Sequence, residues 1–107
     1  MLNDIYTNSF IKCLNESRFY DAHEVLEEIW YPRRFDDNDE IKLLKGFINA
    51  SVSFELIKRG RRQRAKTPWR TYLKYRQLLF KIKEKKANYY KLSRHVEMIQ
   101  RGLKNGL

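Results

Sequence analysis

A chain of 107 residues that is 42% hydrophobic has the length and composition for a single core in one domain over residues 1–107, which excludes a disordered polymer. No apolar run approaches the roughly 18 residues of a bilayer span, and Met1–Asp4 lacks a signal-peptide pattern. With Cys13 as the single cysteine, no intramolecular disulfide can form, so a cytoplasmic location with no membrane partner is the expectation. The formal net charge of +10 is unevenly placed: residues 1–40 hold ten acids against four bases (net −6), and residues 41–107 hold nineteen bases against three acids (net +16).

The spacing of apolar residues predicts five helices joined by short connections, an all-α single-domain bundle with no period-two strand pattern. The first helix is expected from about Asp4 to Leu14, capped by Asn3 or Asp4, with Ile5, Phe10, Ile11 and Leu14 inward. Ser17 is the expected cap of a second helix, which stops at Pro32 because proline disfavours helix in the residue before it. Arg33 to Asp39 reads as a loop. Asn38 or Asp39 then caps a third helix reaching about Arg59, whose apolar residues cover more than one stripe and predict a central position. Gly60 is its expected C-terminal cap.

Arg61 to Lys66 reads as a basic loop, and Thr67-Pro68 as the start of a fourth helix running to about Lys86. Asn88-Tyr89-Tyr90 is expected to break the chain before a last short helix, about 93–103. Val96, Ile99 and Leu103 face inward there, and Gly102 and Gly106 fray its end.

The segment from Phe19 to Trp30 carries the densest chemistry. On a helical wheel His23 lies at the rim of an apolar face formed by Phe19, Leu26 and Trp30. Glu27 is one turn on, at the i,i+4 spacing that lets side chains touch, and Glu24 lies further out. On the third helix the stripe Ile41, Leu44, Ile48 and Ser51 leads to Glu55, and Asn49 lies near the helix centre. If the two helices are antiparallel neighbours, Glu55 approaches His23.

Three roles follow for the cluster His23, Glu24, Glu27, Trp30, Asn49 and Glu55. It can be a structural polar clasp, which is the favoured reading. It can be a divalent-metal site built from His23, Glu27 and Glu55, serving a metal-binding protein or a small hydrolase-like enzyme. It can also be an acid–base pair tuned at His23. No cofactor is the default, and there is no recognisable nucleophile motif.

The basic segment offers Lys58, Arg59, Arg61, Arg62, Arg64 and Lys66, with Arg70 one turn into the next helix. Trp69, Tyr72 and Tyr75 interleave with these charges and stack on bases if exposed. This points to an anionic partner such as RNA. The charge asymmetry also leaves room for a protein partner or a homodimer.

The Phe19–Trp30 segment, together with Leu43-Leu44-Lys45-Gly46-Phe47-Ile48-Asn49-Ala50-Ser51-Val52 and Arg59-Gly60, resembles the domain-of-unknown-function 309 family, over about residues 15–80. Its members are small bacterial, archaeal and plastid proteins, and the resemblance implies an all-helical fold. The pattern fits at His23, Glu24, Glu27, Trp30, Gly46 and Gly60. It departs at Asn49, where the family usually has glutamine, at Glu55, where it often has histidine, and at Arg61, where asparagine commonly follows the glycine. The histidine departure weakens any shared two-histidine metal site. The resemblance brings no established activity with it. The leading functional expectation is therefore a non-enzymatic binding module with a structural His-Glu-Trp cluster and a basic anion-binding surface.

Overall fold

The computed structural model describes residues 1–105. Five α-helices make up the fold: α1 (Asp4–Asn15), α2 (Phe19–Trp30), α3 (Asp39–Lys58), α4 (Arg62–Arg76) and α5 (Lys86–Asn105). Short 3-10 helices follow α2 (Tyr31–Arg33) and α4 (Gln77–Lys81), and no strand occurs among the described residues. None of these helices is long and apolar enough to cross a membrane.

Asparagines set two of the starts. The Asn3 side chain accepts from the Tyr6 N–H at 2.9 Å, and that of Asn38 accepts from Glu40 and Ile41. Each satisfies backbone donors that a first helical turn leaves unpaired.

Two helices end in the same six-residue turn. After α3, the Arg61 N–H reaches Leu56 C=O and the Gly60 N–H reaches Ile57 C=O, with Gly60 at φ +76°. This is the left-handed cap expected of a glycine. After α1 the same pair of bonds runs from Arg18 to Cys13 and from Ser17 to Leu14, with Ser17 at φ +57°. Ser17 therefore closes α1 and does not cap α2, whose first residues have no side-chain cap.

The third helix is central, as its wide apolar surface requires. Leu43, Leu44, Phe47, Ala50 and Phe54 are fully buried, with α2, α4 and α5 packed around them. Gly46 permits the closest approach: a Cβ there would stand 3.1 Å from the Tyr75 Cβ, so α4 lies almost directly on α3.

Three expected boundaries move. Helix α4 begins at Arg62, not at Thr67, and Pro68 lies inside it. Arginine, glutamine, alanine and lysine are all good helix formers, and Ala65 is buried where Ser53 Oγ donates to its carbonyl at 2.8 Å. That tertiary contact fixes the segment as helix. The proline then removes only one backbone bond, to the exposed Arg64. At its other end α4 stops at Arg76, and Leu79 and Ile82 bury themselves in the irregular stretch that follows. Finally, Asn88-Tyr89-Tyr90 belongs to α5. Tyr89 is fully buried beside Phe47, and its hydroxyl donates to Glu40, so it anchors the first turns of a 20-residue helix. Gly106 lies outside the described residues.

Candidate functional site

Helix α2 places His23 and Glu27 one turn apart, and they meet: Nε2 lies 2.6 Å from the carboxylate, with the histidine side chain 20% exposed and the glutamate 39%. The Tyr20 ring stands 5.6 Å from the imidazole. A hydrogen bond to Glu24, itself exposed, raises the Tyr20 hydroxyl above its ordinary pKa. Trp30 is half-buried against the core. Two buried ring nitrogens, His23 Nδ1 and Trp30 Nε1, have no hydrogen-bond partner among the described residues.

Glu55 comes to the same region by a different route. It shares with His23 a cleft of about 240 Å³ between α2 and α3, walled by Phe19, Val52 and Leu56. Its carboxylate, however, is taken by Arg59, whose Nε lies 2.7 Å away. Glu27 faces another surface, beside Glu24, Glu28 and Tyr31. Asn49 donates its amide to Lys45 C=O in its own helix at 2.8 Å and is not part of the cleft. The geometry thus joins His23 to Glu27 and Glu55 to Arg59 as two separate pairs. Among the described residues no group of three or more His, Cys, Asp or Glu side chains is placed to hold a metal ion.

The basic segment is arranged differently. Because α4 starts at Arg62, the cations expected in a loop lie on a helix. Arg62, Lys66, Arg70 and Lys74 follow at intervals of four residues and form one stripe, about 18 Å long at 1.5 Å per residue. Two cations of the preceding α3 end are occupied: Lys58 donates to Ser17 C=O at 2.9 Å, and Arg59 pairs with Glu55. Arg62 donates to the Leu103 carbonyl at 3.1 Å and has no ion-pair partner among the described residues. Arg61, Arg64, Lys66 and Arg70 are exposed and form no ion pair among the described residues.

The interleaved aromatics do not form an open platform. Tyr72 is fully buried, and Tyr75 sits half-buried over Gly46. Trp69 stacks on Tyr72 with ring centroids 4.8 Å apart and leans on Phe54 at 5.9 Å. Trp69, partly buried, lines a groove with its remaining surface.

The sequence reading missed a buried network between α4 and α5. The Tyr72 hydroxyl lies 3.0 Å from Ser93 Oγ and donates to Glu97 at 2.7 Å; Ser93 and Arg76 donate to the same carboxylate at 2.9 and 2.7 Å. Burial alone would raise the Glu97 carboxyl, but the three donors outweigh it and hold its pKa below the ordinary value. Burial in turn pushes the Tyr72 hydroxyl far up. Glu97 is one of three acids among the last 67 residues, and that scarcity was the available signal.

Residues 7–67 match the family model of a domain of unknown function, DUF309. The chain belongs to the DUF309 family. The matched span opens inside α1, earlier than the Phe19–Trp30 segment suggests, and closes early in α4. The DUF309 match thus includes the His23–Glu27 pair and the first cations of α4, while Trp69, Arg70 and all of α5 lie beyond it. No curated protein and no solved structure matches the chain.

Proposed function

We propose that this DUF309 chain is a binding module, not an enzyme, and that its partner is a polyanion docked along the outer face of α4. The observation that carries the reading is charge left without compensation. Between Leu56 and Lys83 the chain has eleven cations and no acid. Among the described residues only Arg59 and Arg76 of these form ion pairs, with Glu55 and Glu97. Concentrating the remaining like charges costs free energy through mutual repulsion, and a polyanion relieves that cost while releasing its own counter-ions.

The His23–Glu27 pair is assigned to the scaffold. His23 Nε2 is committed to the Glu27 carboxylate, and the neighbouring Glu55 is committed to Arg59.

The test is fluorescence anisotropy with labelled heparin and labelled single-stranded RNA across a salt series. Each phosphate contacted on a single strand contributes a slope of about −0.7 in log K against log salt. Changing Lys66, Arg70 and Lys74 of the α4 stripe together to alanine is expected to weaken binding and flatten that slope by about 2. Wild-type affinity indifferent to salt, or binding that survives the triple substitution intact, would overturn the reading.

A further inference from the structure

Beside the α4 stripe runs a groove between α3, α4 and the last turns of α5, with a volume of about 230 Å³. Three features decide what it takes. Ile57 and Ala65 give it an apolar floor, the Trp69 indole forms a wall, and Arg62, Lys66 and Lys104 stand along its rim. Gln100, also on α5, adds an amide that offers both a donor and an acceptor. Two of the rim cations, Arg62 and Lys66, are also the first two members of the α4 stripe.

We propose that the polyanion is single-stranded nucleic acid and that one of its bases enters this groove against Trp69 while its phosphates follow the α4 stripe. The inference rests on the polyanion reading and narrows it to one chemical class. A flat ring with polar edges suits an apolar floor, an aromatic wall and one amide, and the phosphates on either side of that base suit the rim cations. Base–aromatic stacking tolerates any base, because every base has a π-face. The volume lies below the roughly 300–1,000 Å³ of sites for drug-sized ligands, so it accepts a single ring system and not a dinucleotide. Sulfated sugars and inorganic polyphosphate carry the charge without the flat ring, and a duplex keeps its bases stacked inside.

The indole is held ready for this role. Tyr72 and Phe54 pack against it. The Arg62 bond to Leu103 C=O ties the start of α4 to the end of α5 across the groove. Little ordering is left for the ligand to impose.

The chain has two tryptophans, Trp30 and Trp69, so Trp30→Phe leaves Trp69 as the sole reporter. In that background, oligouridylate is expected to quench and shift Trp69 emission, whereas polyphosphate binds by anisotropy competition without changing it. Trp69→Leu is expected to weaken oligouridylate binding about tenfold and to leave polyphosphate affinity unchanged. Gln100→Phe, which fills the groove from the more exposed α5 side and spares the core, is expected to do the same. An RNA duplex of equal length is expected to bind more weakly than the single strand despite its higher charge density.

Unchanged Trp69 emission at saturation would overturn the base-binding inference while leaving the polyanion reading in place. So would equal losses for oligouridylate and polyphosphate in Gln100→Phe, or tighter binding of the duplex. Absence of all polyanion binding to the wild-type chain would overturn both.

Discussion

The α2–α3 seam and the outer face of α4 are both rich in charge, and they treat it in opposite ways. At the seam two local pairs match charge with charge: His23 with Glu27, and Glu55 with Arg59. On α4 the cations Lys66 and Arg70 stand beside Arg62 and Lys74 without a counter-charge among the described residues. Matched pairs on a partly exposed surface add little stability and leave little field for a partner to read. An unmatched row adds no stability and projects a potential. The residue types at the seam look more like chemistry, yet the plainer row of arginines and lysines is the one left without counter-charge among the described residues.

Substitutions can break or sharpen this contrast. The largest effect on stability is expected where α4 lies on α3. Gly46→Val would drive a branched side chain into Tyr75, whose Cβ is within 3.1 Å of the position a Cβ would take at Gly46. A loss of about 3 kcal/mol, the upper part of the overpacking range, should appear as a fall in thermal midpoint of well over 10 °C, at about 4–8 °C per kcal/mol. A midpoint near wild type would mean that the two helices are not held this closely.

Glu97→Gln ranks next. It removes the charged acceptor shared by Tyr72, Ser93 and Arg76 and should cost about 2 kcal/mol by urea denaturation near neutral pH. It also predicts a pH signature. A carboxyl whose folded pKa lies below its unfolded value contributes stability above the unfolded pKa, and that contribution is lost as pH falls through the folded one. The wild type should therefore lose stability on acidification below the ordinary glutamate pKa, and the glutamine variant should lose less over the same window. Parallel pH profiles would remove Glu97 from the account.

His23→Ala should cost less, about 1 kcal/mol, through lost apolar packing and a partly exposed pair. The contrast between the regions is sharpest here: thermal stability should fall and polyanion affinity should not change. A drop in affinity would merge the two regions and undo the division of labour. Smallest is Ser17→Gly, which relieves a side chain at φ +57° and should raise stability by about 0.5 kcal/mol in thermal unfolding.

Much of the fold was legible because its signals are local. Asn3 and Asn38 announce helix starts, Gly60 announces an end, and the i,i+4 spacing of His23 and Glu27 announces their contact. Glu55 shows the limit. Its i,i+4 partner Arg59 is equally visible in the sequence, and that local pair is the one that forms. Thr67-Pro68 carries a helix-start signal that burial of Ala65, distant in sequence from Ser53, overrides. The Tyr72–Ser93–Glu97 network depends on how α4 and α5 meet, which no spacing within either helix encodes.

The lysine at the end of α3 has a further consequence. Each finishing helix presents the negative pole of its macrodipole, and the ends of α1 and α3 lie within reach of one lysine. Lys58 belongs to the last turn of α3 and reaches the carbonyl of Ser17, in the turn that closes α1. One ammonium therefore serves two dipole ends at once, acting as a cap supplied from a neighbouring helix. A lysine that sequence alone groups with the candidate anion-binding cations keeps its charge but has its ammonium tied to the turn that closes α1, and Arg59 is paired with Glu55, so the run of unpaired cations among the described residues continues from Arg61 into α4.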